Sequence, residues 1–78
     1  MIRYKCDIMA LLKENGYNQT KIQREYILSG TVIMKLRNQQ PVSMEILNKI
    51  CILCKAQPGD LIEVVVTEEE KEKYNILF

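Results

Sequence analysis

Histidine and tryptophan do not occur in this chain of 78 residues, phenylalanine occurs once, and there are only three cysteines, two prolines and three glycines. Without histidine the side chain best suited to acid–base work near neutrality is missing, so catalysis would fall to cysteine, lysine or carboxylates. None of these stands at a spacing that marks a nucleophile with its base, and no glycine-rich run offers a phosphate loop. An enzyme is not expected. Nor does any apolar run approach the roughly 18 residues that a membrane span requires. The opening Met-Ile-Arg-Tyr-Lys lacks the apolar segment of a secretory signal. The expected compartment is the cytoplasm, with no membrane partner.

What is present is an apolar fraction of 47% beside 27% charged residues, the balance of a globular chain able to close one small core without metal or disulfides. Cys51 and Cys54 form a Cys-x-x-Cys pair, but both fall within the apolar series Ile46, Leu47, Ile50, Cys51, Leu53, Cys54 of one amphipathic helix. With no histidine and no evident fourth ligand they read as small buried hydrophobes, and no cofactor or metal is expected. The net charge of +1 hides an asymmetry: residues 1–58 carry nine Lys or Arg against four Asp or Glu, and residues 59–78 carry two against six. The basic part suits phosphate contact.

Ile8, Met9, Leu11 and Leu12 repeat at helical spacing between Asp7 and Asn15, and Gly16 is placed to end that helix. Asn18 caps a second helix with Ile22 and Tyr26 as its inward positions. A turn through Ile27 and Leu28 leads to Ser29, the cap of a third helix running to about Arg37. After a loop containing Pro41, Ser43 caps a fourth helix that continues to Cys54, and Pro58 and Asp60 suit the first turn of a short fifth. Ile2 to Tyr4 alternates like a strand and suits antiparallel pairing with the Val64–Val66 run. Thr67 and Glu70 form a capping-box pattern that opens a further helix toward Tyr74.

The second and third helices with their tight connection outline a helix-turn-helix. Its last helix would bury Ile33 and Leu36 and hold Thr31, Met34, Lys35 and Asn38 on the opposite face, as entry into a DNA major groove requires. Gln19 and Ser29, at helix starts, are placed to hold phosphate oxygens, with Arg37 and Asn38 toward the flanking backbone. Thr31 can meet a base edge or a thymine methyl, Lys35 can donate to guanine O6 and N7, and Met34 offers apolar contact to a thymine methyl. Gly30 would let the backbone approach DNA closely, at a helix-propensity cost near 1 kcal/mol that is smaller in a first turn.

Leu36-Arg37-Asn38, Pro41-Val42-Ser43, the Leu47–Gln57 pattern with Ile50, Cys51 and Leu53, and Pro58-Gly-Asp-Leu-Ile-Glu63 resemble the small Cro and phage-repressor type of helix-turn-helix proteins, specifically the compact bacterial and prophage members. The resemblance covers Lys5 to about Val65. It implies an all-α, five-helix domain in which Gln19, Ser29 and Asn38 match phosphate-contacting positions and Gly30, Thr31 and Lys35 match base-reading positions. The chain departs from that pattern at Gln23, where the family often has a small residue, and at Ile27, where it often has glycine. An isoleucine forced to positive φ would cost about 1 to 2 kcal/mol, so ordinary backbone is expected at Ile27.

The expected function is that of a sequence-specific DNA-binding transcriptional regulator, acting on double-stranded DNA as a homodimer. The alternative is a protein-interaction module, adaptor or antitoxin-like, on the same fold, with Val32 and Met34 in a partner surface. Residues 1–66 form the expected domain and 67–78 an acidic extension. Tyr74, Ile76, Leu77 and Phe78 give that extension apolar side chains that need a surface to cover, on a second subunit or on the chain's own core.

Overall fold

Short polar side chains decide where the helices begin. Asp7, Asn18, Ser29, Ser43 and Thr67 each accept a hydrogen bond from the backbone N–H three residues on, at 2.8 to 3.2 Å. Each satisfies a donor that the first helical turn leaves free. In the computed structural model, which describes residues 1–76, they open α1 (Ile8–Glu14), α2 (Gln19–Arg24), α3 (Gly30–Arg37), α4 (Met44–Cys54) and α6 (Glu68–Tyr74). Between α4 and α6 lies the single-turn α5 (Pro58–Leu61), where the Asp60 carboxylate accepts from the Gln57 N–H at 2.9 Å. The chain is thus mostly helical, with the five expected helices followed by the one that the Thr67–Glu70 pattern announces.

The helix ends follow one rule as well. The residue after α1, α2, α3, α4 and α6 with left-handed backbone is Gly16, Tyr26, Gln39, Lys55 and Asn75 respectively, all at φ between 51° and 90°. In each case the next N–H returns to a carbonyl five residues back, as in Ile27 to Ile22 at 2.9 Å and Gln40 to Lys35 at 2.8 Å. Tyr26 was expected to point inward from α2; it is 91% exposed. The reason is that α2 stops at Arg24, and the left-handed turn swings position 26 off the helical face to which Ile22 belongs. Ile27 keeps negative φ, as expected, because the strained position falls one residue earlier.

The core is built from Ile8 and Leu12 of α1, Ile22 of α2, Leu28, Ile33 and Leu36 around α3, Ile50, Cys51 and Cys54 of α4, and Leu61 of α5. Both cysteines of the Cys-x-x-Cys pair lie in it, as small hydrophobes. Burial pushes the Cys54 thiol up from its ordinary pKa, with neighbouring Cys51 and Cys6 adding to the effect. Gln23 is exposed to solvent.

β1 (Ile2–Tyr4) pairs antiparallel with β2 (Ile62–Val64), with Ile2 opposite Val64, Arg3 opposite Glu63 and Tyr4 opposite Ile62. The expected partner of β1 was Val64–Val66; the strand starts two residues earlier because Leu61, 1% exposed, anchors α5 in the core and the chain enters the ladder at once, Lys5 N–H reaching Leu61 O at 2.8 Å. Tyr4 and Ile62 pack on the core, while Ile2 and Val64 overhang it and stay about two-thirds exposed (64% and 65%). α6 follows, buries none of its side chains, and leaves Tyr74 60% exposed. Leu77 and Phe78, expected to need a covering surface, lie outside the described residues.

Candidate nucleic-acid interface

Two of the eight residues of α3, Ile33 and Leu36, are 3% exposed and fix its inner face. Helical geometry then turns Thr31, Met34 and Lys35 outward, and all three are exposed, Met34 at 64%. Asn38, the C-cap, continues the same stripe one turn on. Thr31, Met34, Lys35 and Asn38 are therefore brought together as one outward ridge. Gly30 flanks it at the helix start, where a Cβ would meet nothing within 4 Å beyond its chain neighbours and its own helix backbone.

The placed phosphate candidates divide. Ser29 sits exposed at the head of α3, its Oγ accepting from Val32 N–H at 3.2 Å, so its hydroxyl proton remains available to an anion. Gln19 opens α2 half-buried. Arg37 lies to the side of the ridge, where it lines a cavity of about 300 Å³ with Cys6, Asp7, Met9, Leu36 and Gln39. Lys21, nearer the periphery, sits over the Tyr17 ring at 5.0 Å.

From Asn18 to Asn38 there are four Lys or Arg and one acid, Glu25. No ion pair engages Arg24, Lys35 or Arg37 among the described residues. Cationic side chains without local partners keep their charge for an external anion.

Two residues bearing on this surface escaped the sequence reading. Lys49 of α4 donates from Nζ to the carbonyl of Ile27, in the turn before α3, at 2.9 Å. Tyr4 of β1 donates from its hydroxyl to the carbonyl of Gln40, just past α3, at 2.7 Å. Both bonds join residues more than twenty positions apart, and no periodicity or motif marks them. Partial burial of Tyr4 raises its pKa above the ordinary tyrosine value, which keeps the hydroxyl a donor.

The family model of the Cro/C1-type helix-turn-helix DNA-binding domain matches residues 8–66, from the first residue of α1 to beyond β2. No curated protein and no solved structure matches the chain.

Proposed function

The chain belongs to the Cro/C1-type helix-turn-helix DNA-binding domain family, and on that premise we propose that it is a sequence-specific transcriptional regulator that reads the DNA major groove with α3. The observation that carries this is the exposed ridge of Thr31, Met34 and Lys35, opposite the buried Ile33 and Leu36. Lys35 donates to guanine, while Thr31 and Met34 meet thymine methyl groups or base edges; Gly30 admits the backbone to the groove. Gln19, Ser29, Asn38 and the laterally placed Arg37 hold phosphates and set register.

One such helix spans only a few base pairs, so two copies on paired half-sites supply the specificity. Residues 1–66 act as the DNA-binding unit and 67–78 as an extension that joins the copies. Supporting this, α6 buries none of its side chains and Tyr74 stays exposed. Deleting 67–78 should convert a dimer to a monomer in sedimentation equilibrium; a truncated chain that stays dimeric would remove the extension from the interface.

Selection of bound duplexes from a random pool, followed by affinity measurements across salt concentrations, tests the main proposal. Affinity should fall steeply with salt as phosphate contacts are lost. Lys35→Ala should weaken the selected site by about 1 to 3 kcal/mol and relax preference at one base position. The exposure of Met34 on α3 and of Tyr26 in the turn after α2 favours a second reading, a protein-interaction module. Salt-insensitive capture of a protein partner, with no duplex enriched, would select that reading instead.

A further inference from the structure

We infer that Lys49 and Tyr4 are positioning residues for α3, two side chains from outside the helix-turn-helix that fix the ends of the reading helix by clamping the carbonyls of Ile27 and Gln40. This rests on α3 being the DNA-reading helix. The two carbonyls are symmetrically placed: Ile27 stands two residues before the N-cap Ser29, and Gln40 two residues after the C-cap Asn38. Each follows a left-handed residue, Tyr26 or Gln39, at which the backbone has just changed direction.

The apolar anchors of α3, Ile33 and Leu36, hold it against the core, but apolar contact is non-directional and resists separation better than rotation or sliding. Hydrogen bonds have a direction and a length, and one at each end removes those freedoms. Both donors stand on fixed ground. Lys49 precedes Ile50, which is fully buried, so its backbone is set by the core. Tyr4 stands in the ladder between the Arg3–Glu63 pairing and the Lys5–Leu61 bond.

Base recognition depends on placement to a fraction of an ångström, whereas phosphate attraction tolerates a shift of the helix. The clamps should therefore act on discrimination between sequences and leave nonspecific attraction alone. On this account Lys49 acts through the Ile27 carbonyl, to which its ammonium is bonded at the turn.

The test uses the full chain with Lys49→Met and Tyr4→Phe, each removing the donor and keeping the bulk. Affinity is measured for the selected duplex and a shuffled one over a salt series. For each variant the selected duplex should lose roughly three- to tenfold, the effect of one net hydrogen bond. The shuffled duplex and the salt slope should stay as in the parent chain, and Lys49→Arg, which restores a donor, should recover affinity. Equal losses on both duplexes, with a salt slope shallower by about 1 for Lys49→Met, would make Lys49 a phosphate contact and overturn the inference. Unchanged affinity for the selected duplex in both variants would overturn it too.

Amide chemical shifts of the unbound variants give a readout that needs no DNA. Shifts from Leu28 to Asn38 should move together as α3 is released at one end; changes confined to the carbonyl partner's immediate neighbours would refute the clamp. A parent chain that prefers no duplex would instead sink the recognition premise, and the amide shifts would still decide whether the clamps hold α3.

Discussion

Tyr26 occupies a backbone conformation suited to glycine, and the stabilities of Tyr26→Gly and Tyr26→Ala should differ in the order opposite to that of an ordinary helical site. Its φ is 55°, a region that costs a residue with a Cβ about 1 to 2 kcal/mol. The ring is 91% exposed. Its removal therefore uncovers only about 20 Å², or about 0.5 kcal/mol. Glycine relieves the strain but gives back about 0.5 to 1 kcal/mol through the entropy of the unfolded chain. Tyr26→Gly should accordingly end level with the parent chain or slightly above it. Tyr26→Ala loses the same small contact and keeps the strain, which places it about 0.5 to 1 kcal/mol below the glycine variant. In urea, with a slope of about 1 kcal/mol per molar for so small a chain, the two midpoints should stand roughly 0.5 to 1 M apart. An alanine variant as stable as the glycine variant would mean that position 26 is not left-handed and that α2 ends in some other way.

Gly30 faces the opposite test: its φ is ordinary and a Cβ there meets nothing, so Gly30→Ala should gain about 0.4 to 1 kcal/mol in urea unfolding while weakening binding to the selected duplex. A variant that gains stability and keeps full affinity would take Gly30 off the DNA surface. Cys54→Ala should cost about 1 kcal/mol of stability through lost packing, with DNA binding indifferent to chelators; unfolding on addition of a chelator would reveal a metal. The Glu70 carboxyl is held below its ordinary pKa, first by the Met1 ammonium at 2.6 Å and then by the Thr67 N–H. A lowered folded-state value means that its contribution is present above the ordinary carboxylate range and is lost as pH falls through the folded value. Protection of the amides at the start of α6, taken relative to the intrinsic exchange rate at each pH, should fall over that acid interval in the parent chain and show no such loss in Glu70→Gln.

The helix starts were legible because capping is a local transaction: Asn18, Ser29, Ser43 and Thr67 each bond within three residues of themselves. The outward ridge of α3 was legible for a related reason, since Ile33 and Leu36 leave one way to orient the helix. Tyr26 was misjudged because its apolar ring continues the spacing begun at Ile22, and nothing in that spacing says that the helix has already stopped. The strand register shifted because it is set by where the buried Leu61 anchors α5, a matter of tertiary packing. Arg37 was expected toward the flanking backbone; two residues of helix set its direction about 200° from that of Lys35, and it stands to the side of the ridge, near the start of α1. Lys49 and Tyr4 bond across 22 and 36 residues, distances over which the sequence carries no phase information.

The ladder between β1 and β2 brackets everything that folds between them: the Met1 ammonium donates to the Val65 carbonyl and the Val65 N–H returns to the Met1 carbonyl, 64 residues apart. Contacts of such separation close the longest loop, so they form after the local helices and, carrying exposed bonds at their outer end, open before them. During synthesis the first strand must wait, unpaired, until nearly the whole helical body has left the ribosome. Tyr4 is held in that ladder and reaches Gln40 from it, so the exit of α3 acquires its clamp only when the two ends have met. A nascent or end-frayed chain would thus already possess its helices while lacking one of the bonds that aim them, and the order of assembly places alignment of α3 after its formation.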